Sequence, residues 1–252
     1  MKILLTVAYD GTNYFGWQRQ KGDPVVTVEQ KIYEACSSLF RKEFEIIGAS
    51  RTDRGVHALG QRVLLDVDTN IPVERIPRAL NSFLPQDIVV NCAEIVSDDF
   101  HPRYNCVKKT YIYRIFNGEY RNPLERYYTE FVYKELDVEK MKKACEYFKG
   151  THDFKGFCSA QTEVKSTVRT IFDISVEKIN DVVEIYVTGD GFLYNMVRII
   201  AGTLIYVGLS KINPDEMGDI IESCDRTRAG KTAGPEGLTL MKIYYWKTLF
   251  LR

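Results

Sequence analysis

Apolar and polar positions along the chain follow the same order of predicted elements twice. The first half gives strand, helix, strand, strand, helix and strand, from "KILLTVAYD" at residue 2 to "DIVVNCAEIV" at residue 87. Apolar residues at helical spacing predict the helix in "TVEQKIYEACSSLFRK", which Thr27 and Gln30 begin with a capping-box signature. Pro77 interrupts the second helical stretch, so we expect that helix to be broken.

The second half repeats this order from "KKTYIYRIFN" at residue 108 to the closing strand "LTLMKIYYW". Asp137 and Asn213 are predicted helix caps, Asn180-Asp181 is a predicted hairpin turn, and "GTHDF" is favoured as a helix-terminal turn. The pattern therefore predicts an α+β protein of two ferredoxin-like β-α-β-β-α-β halves, residues 1–104 and 105–252. We expect them to pack side by side around a central cleft.

Composition narrows the class of protein. The 252 residues are 45% hydrophobic and 27% charged, as in ordinary globular chains. No apolar run approaches the roughly 18 residues of a membrane helix, and the N-terminus lacks a secretory pattern, so we expect a cytoplasmic protein. Six cysteines without a CxxC pair, and only three histidines, argue against a zinc site or a disulfide framework.

The charge is balanced overall but unevenly distributed. With 34 basic and 34 acidic residues, the chain does not resemble a nonspecific nucleic-acid coat protein. Basic and aromatic residues nevertheless interleave in "HPRYNCVKKTYIYR", which contains Arg103, Lys109 and Tyr111. Such a patch fits either RNA binding, with phosphates on the cations and bases on the rings, or a solvated face.

The most polar stretch between two predicted strands is "GASRTDRGVHALGQ", Gly48 to Gln61. It holds Arg51, Asp53 and His57 among three glycines, and Gly55 is expected to adopt a backbone angle that other residues avoid. A solvated turn and an active-site loop both fit this composition.

Arg198 lies inside the strongly apolar stretch "FLYNMVRIIAGTLIYVG". A buried guanidinium is costly unless a carboxylate and further acceptors satisfy it. Asp190 and Asp53 are candidate partners, and the alternative is that the side chain reaches solvent at the start of the helix.

Four motifs carry a resemblance to a known family. In order they are "YDGTNYFGWQRQ", "GASRTDRGVHALGQ", "FHPRYNCVKKTYIYR" and "GFLYNMVRIIAGTL". Together they resemble the TruA family of tRNA pseudouridine synthases, over a match from Tyr9 to about Leu240. The family pattern G-R-T-D-x-G-V-H-A-x-G-Q is matched from Arg51 onward; Ser50 replaces a common glycine, and Arg54 adds a charge where many members have alanine.

The resemblance implies two α/β halves flanking one cleft, a homodimer, no metal or cofactor, and a tRNA substrate. It implies that uridine is isomerised to pseudouridine on the 3′ side of the anticodon stem-loop, at tRNA positions 38, 39 and 40. Asp53 matches the essential aspartate, Arg198 the arginine that pairs with it, and Tyr111 the active-site tyrosine that would stack on the extruded uracil. The remaining candidate substrate-binding residues are Arg51, His57, Arg103 and Lys109, with phosphate contact or loop shaping as their roles.

The chemistry explains why a carboxylate is needed. The bond from uracil N1 to the ribose breaks, the base turns, and C5 joins the same sugar carbon, which becomes electron-poor on the way. A carboxylate bonds to that carbon, as in retaining glycosidases, or removes the neighbouring sugar proton to give a glycal. Two other functions stay open: a nucleoside-cleaving enzyme using Asp53 with Asp10 or Asp190, and a noncatalytic RNA-binding module. The latter usually carries the motif K/R-G-F/Y-G/A-F-V-x-F/Y, and this sequence does not contain that motif in full.

Overall fold

The computed structural model describes residues 1–20, 25–43, 45–159 and 164–250. The chain divides into two compact units. The first unit is Met1–Val107 with Thr239–Arg252, and the second unit is Lys108–Leu238. The division expected from the sequence placed the closing strand with the second half, whereas in the structure its residues from Thr239 onward belong to the first unit.

The first unit has the ferredoxin-like order of elements. Its strands and helices are β1 (Lys2–Tyr9), α1 (Val28–Phe40), β2 (Ile46–Gly48), β3 (His57–Asp66), α2 (Ile76–Asn81) and β4 (Ile88–Ile95), with a 3₁₀ turn at Val73–Arg75. β1 pairs antiparallel with both β3 and β4, and β2 pairs antiparallel with β3. The closing strand β10 (Leu238–Tyr244) pairs in parallel with the start of β3, matching Thr239 with His57.

Local signals account for the helices of this unit. Gln30 N donates to Thr27 Oγ1 at the start of α1, so the predicted cap forms. Pro77 lies in the first turn of α2, where its missing N–H is not needed, and the 3₁₀ turn precedes it. The helical stretch is therefore broken as expected.

The second unit begins with β5 (Lys108–Phe116). The elements that follow are β6 (Glu130–Phe131), α3 (Val138–Phe148), β7 (Gly150–Asp153), β8 (Val168–Ile179), β9 (Val182–Gly189), α4 (Met196–Gly208) and α5 (Met217–Glu222), with 3₁₀ turns at Lys155–Phe157 and Pro214–Glu216. β9 pairs antiparallel with β5 and β8, β8 pairs antiparallel with β7, and β6 pairs in parallel with β5. A last 3₁₀ turn, Lys247–Leu249, lies in the first unit.

Capping and burial explain the second unit. Lys140 N donates to Asp137 Oδ1 at the start of α3, and Asn180, in a left-handed conformation with φ 54°, turns the β8–β9 hairpin. α4 is apolar on nearly every side because it is buried almost throughout, and Gly208 at its end lies against Met141 of α3. Asn213 caps the 3₁₀ turn through its contact with Asp215 N, and α5 follows that turn.

Two predicted boundaries were wrong. The polar stretch from Gly48 to Gln61 is not all loop, because β3 begins at His57 and Gln61 pairs with Val7 of β1. Gly150–Asp153, favoured as a helix-terminal turn, is a short strand that pairs with β8. In both cases pairing with a distant strand extends a segment whose own sequence reads as polar and irregular. The sequence predicts the second strand in "FEIIG", residues 44–48; Phe44 lies outside the described residues, and β2 begins at Ile46.

Candidate active site

The loop between β2 and β3, residues 49–56, presents Asp53 on a backbone held by buried side chains. The Gln61 side chain holds the first part of this loop. Its Nε2 donates to Ser50 O at 2.7 Å, and its Oε1 accepts from Ser50 N at 3.2 Å. Thr52, 8% exposed, has its Oγ1 2.8 Å from Tyr9 Oη, which ties the residue before Asp53 to the end of β1. Asp53 itself is half-buried.

The segment after β1 packs closely against this loop. Gly16 has φ +83°, and a Cβ there would lie 2.7 Å from Thr52 O. Trp17, fully buried, donates its backbone N–H to Thr52 O at 3.0 Å. Gly55 has φ +78°, which confirms the prediction that it adopts a backbone angle other residues avoid. Its N–H donates to Tyr14 O. The backbone on both sides of Asp53 is therefore fixed by the first motif of the sequence.

His57 is the first residue of β3 and is 5% exposed. Gly11 N donates to its Nδ1 at 3.0 Å, and Asp10 Oδ1 lies 3.1 Å from the same nitrogen. The imidazole therefore holds the chain just after β1, which is a loop-shaping contact.

Arg51 and Arg103 line one cavity of about 480 Å³ in the first unit. Arg103 Nε donates to Gly48 O at 2.9 Å, so this guanidinium is anchored to the end of β2. Burial and the nearby Arg51 lower the pKa of Arg103. The described residues around the cavity include cations, aromatic rings and two carboxylates: Gln18, Arg19, Glu29, Tyr33, Glu45, Ile46, Ile47, His101 and Tyr104.

Three rings on the walls of this cavity each contact a neighbouring side chain. Arg19 lies over the Tyr33 ring at 4.6 Å, and His101 stacks on Tyr104 with ring centroids 4.2 Å apart. Tyr104 is 85% exposed. Cations beside exposed rings are the combination that binds phosphates and stacks bases.

Tyr111 and Lys109 both lie on β5 in the second unit. The Tyr111 side chain is 7% exposed and meets Phe192 edge to face, with ring centroids 5.2 Å apart. Lys109 is half-buried and pairs with Gly189 at the end of β9.

Arg198 lies in the first turn of α4 and is half-buried. Its Nε donates to Ala233 O at 2.8 Å, and its Nη1 donates to Asn195 Oδ1 at 2.8 Å. Asn195 precedes the helix in a left-handed conformation, with φ 62°. Two of the guanidinium N–H groups are thus bound by fixed acceptors, one near in sequence and one from the segment beside α4, and this fixes the plane of the group.

Asp190, a candidate partner of Arg198, is exposed, and its Oδ1 accepts from Thr170 N at 3.0 Å. The described residues contain no helix long and apolar enough to span a membrane. Within the same residues, no group of three or more His, Cys, Asp or Glu side chains is placed to hold a metal ion.

The fold is α+β, and the loop that carries Asp53 lies in the same unit as a cavity lined by Arg51, other cations and aromatic rings, a combination that fits an enzyme acting on a nucleic acid. The family model for tRNA pseudouridine synthase matches residues 5–105 and 144–246. The chain belongs to this family of tRNA pseudouridine synthases.

Curated relatives match nearly the whole chain. A "tRNA pseudouridine synthase A" of Thermoanaerobacter sp. (strain X514) is 49% identical over 96% of this chain and 99% of its own. A "tRNA pseudouridine synthase A 2" of Clostridium tetani is 47% identical over 96% and 98%. A "tRNA pseudouridine synthase A" of Caldicellulosiruptor saccharolyticus is 48% identical over 96% and 99%.

Sequence reasoning missed several residues that organise the site. Thr52, Gly16 and Gln61 hold the loop, and Glu130, a buried acid on β6, contacts the segment that supports Arg198. The one available signal for Glu130 was a charged residue in the otherwise apolar and aromatic stretch "EFVY".

Proposed function

We propose that this chain isomerises uridine to pseudouridine in tRNA, on the 3′ side of the anticodon stem-loop. The observation that carries the proposal is the loop at residues 49–56, in which Tyr9 and Gln61 hold the residues before Asp53 and a backbone bond from Gly55 to Tyr14 holds the residues after it. A catalytic carboxylate needs such support, because a misplacement of about 1 Å can cost about a hundredfold in rate.

Asp53 is proposed as the catalytic residue, through either of two routes. In the first, its carboxylate bonds to ribose C1′ as the bond to uracil N1 breaks; the turned base then displaces it through C5, C5 loses its proton, and N1 gains one. In the second, Asp53 takes the proton from C2′ while the bond from C1′ to N1 breaks, which leaves a glycal; C5 then bonds to C1′, C2′ regains a proton, C5 loses its proton, and N1 gains one. Both routes keep every heavy atom of the RNA and replace the lost C5 proton by one on N1, so unlabelled product has the mass of unlabelled substrate.

The other residues take supporting roles. From the resemblance, Arg198 is the guanidinium that keeps Asp53 ionised, and Tyr111 stacks on the extruded uracil. Arg51, Arg103 and Lys109 contact phosphates. The buried position of His57 and its bond from Gly11 N favour loop shaping for that residue.

We also propose a cytoplasmic homodimer that works without metal or cofactor. Analytical ultracentrifugation tests the dimer, and a monomer at micromolar concentration would contradict it. Activity after prolonged dialysis against a chelator tests the second part, and a loss restored by one added metal would contradict it.

The proposed function is tested with a tRNA transcript carrying tritium at C5 of uridine. We expect the wild-type protein to release tritium and form pseudouridine without releasing free uracil from the RNA. Asp53→Asn should abolish this while tRNA binding stays within about tenfold, about 1.4 kcal/mol. The matched control is Asp190→Asn, which keeps the acceptor for Thr170 N and should retain full activity.

Two results would contradict the proposal. Free uracil with a loss of RNA mass would indicate the nucleoside-cleaving enzyme instead. Binding of tRNA without tritium release by the wild-type protein would indicate the noncatalytic module.

A further inference from the structure

The segment 230–234 is pressed against helix α4 in the second unit. Gly230 N donates to Thr203 Oγ1 at 2.8 Å, and Ala233 N donates to Arg198 O at 3.1 Å. A Cβ on Gly202 would lie 1.9 Å from Lys231 O, so only glycine allows this approach. The segment therefore runs close along α4, with no room for a side chain at Gly202.

One peptide group in this segment contacts Arg198 directly. The carbonyl of Ala233 accepts from Arg198 Nε at 2.8 Å. The N–H of the same peptide group belongs to Gly234, and it donates to Glu130 Oε2 at 3.0 Å. Since the C=O and N–H of a trans peptide point in opposite directions, Arg198 and Glu130 hold opposite edges of one rigid plane.

Glu130 is itself held tightly. It is 7% exposed, and its Oε2 also accepts from Tyr113 Oη at 2.6 Å, while Oε1 accepts from Lys231 Nζ. Burial first, and then the carboxylate of Glu130, raise the pKa of Tyr113 well above its usual value, so the phenol stays a donor. A buried carboxylate with three donors has little freedom to shift.

We propose that Glu130 is a positioning residue for the reaction, acting through the Ala233–Gly234 peptide to set the direction of the Arg198 guanidinium. The inference rests on the role proposed above for Arg198. Lys231 completes the arrangement by neutralising Glu130 and by lying in the same segment, so the ion pair ties the segment to β6.

The test replaces Glu130 by glutamine, which has one acceptor oxygen where the carboxylate uses two. We expect the single-turnover rate at saturating tRNA to fall tenfold or more, with the Kd for tRNA within about twofold, by the rate cost of a small misplacement. The matched control is Glu184→Gln in the same unit. Glu184 is another buried carboxylate, accepting from Arg114 Nε at 2.9 Å and Tyr186 Oη at 2.8 Å, and it should lose thermal stability while keeping the wild-type rate.

Combining Glu130→Gln with Arg198→Lys separates positioning from general stability. If Glu130 acts through Arg198, the double variant should be no more than about twofold slower than Arg198→Lys alone. Losses that multiply, or an equal rate loss in Glu184→Gln, would overturn the inference. If Glu130→Gln does not fold, the test uses Lys231→Met instead, because the lysine side chain is 48% exposed and its replacement should be tolerated. A rate loss of threefold or more would then support the inference, and a wild-type rate would overturn it.

The outcomes also separate this inference from the proposed function. A wild-type protein that forms no pseudouridine refutes the function itself. An active wild type with a fully active Arg198→Lys variant refutes the role of Arg198. A slow Arg198→Lys variant beside a wild-type rate for Glu130→Gln refutes only the positioning role.

Discussion

At the scale of single residues, the site depends on polar contacts that fix a direction. Arg198 donates from Nε to Ala233 O and from Nη1 to Asn195 Oδ1. A lysine carries the same charge but has a single nitrogen on a flexible stem. Charge alone therefore does not reproduce the contacts of this residue.

We expect Arg198→Lys to lower the single-turnover rate by about a hundredfold while the fold and tRNA binding persist, because the ammonium lacks the planar fork that holds two acceptors in fixed directions. The measurement is the single-turnover rate set against the thermal midpoint. Arg114→Lys is the control, since that arginine pairs with Glu184 and should show only a change in stability.

A lower midpoint for Arg198→Lys with a near-normal rate would mean that this arginine only supports α4. A large rate loss for Asp190→Asn, with Arg198→Lys active, would move the role to Asp190.

At the scale of elements, the segment after β1 and the loop before β3 form one packed unit of backbone. Gly16 is the point of closest approach, with its positive φ and with Thr52 O in the place a side chain would take. Its neighbour Trp17 lies against Gly48, where a Cβ would lie 2.4 Å from the indole nitrogen. We therefore expect a side chain at Gly16 or at Gly48 to displace the loop that carries Asp53.

Gly16→Ala should destabilise the protein by about 1–3 kcal/mol and lower the rate of pseudouridine formation, because the methyl group must push the residue before Asp53. Chemical denaturation and single-turnover kinetics measure the two effects. Gly218→Ala in α5 is the control, since its Cβ would lie 3.4 Å from Tyr147 and alanine favours a helix. Equal stability and rate in both variants would contradict the argument.

The helices also protect their thiols. Cys36 of α1 and Cys145 of α3 are buried, and burial raises the pKa of each to about 12. Cys92 on β4 is exposed. We expect iodoacetamide at pH 8 to label Cys92 well before Cys36 and Cys145, because the reactive thiolate is scarce and inaccessible at the buried sites. Mass spectrometry of native protein over time provides the measurement, and early labelling of Cys36 would show that α1 opens readily.

At the scale of the whole molecule, zero net charge coexists with a local concentration of cations. Arg19, Arg51 and Arg103 line the cavity of the first unit, although the chain carries as many acidic as basic residues. Counterions are released by the local contacts with phosphates, not by the total charge. Balanced composition therefore does not predict weak or salt-insensitive binding.

We expect tRNA affinity to fall steeply between low and physiological salt, and Arg51→Gln to reduce the slope of log K against log salt by about 1. Fluorescence anisotropy over a salt series gives both slopes. Arg75→Gln, at an exposed arginine of the 3₁₀ turn before α2, is the control and should leave the slope unchanged. A flat response of the wild-type protein would mean that these cations do not touch RNA.

Short-range signals in the sequence predicted where helices begin and where the chain turns, and one continuous motif predicted the candidate catalytic loop. Thr27 and Asp137 cap their helices, Pro77 marks a broken helix and Asn180 turns a hairpin, because each signal acts within a few residues of itself. The motif from Arg51 to Gln61 likewise appears complete in one stretch of chain.

The ends of several strands and the contacts that support the candidate site depend on tertiary pairing and could not be predicted from the sequence. His57 joins β3 and Thr239 joins the first unit because of pairing between residues far apart in the sequence. Glu130 and Gly234, 104 residues apart, meet only after β6 and the segment beside α4 have folded. Such contacts leave no periodic pattern, since each depends on the position of an element that the local sequence does not specify.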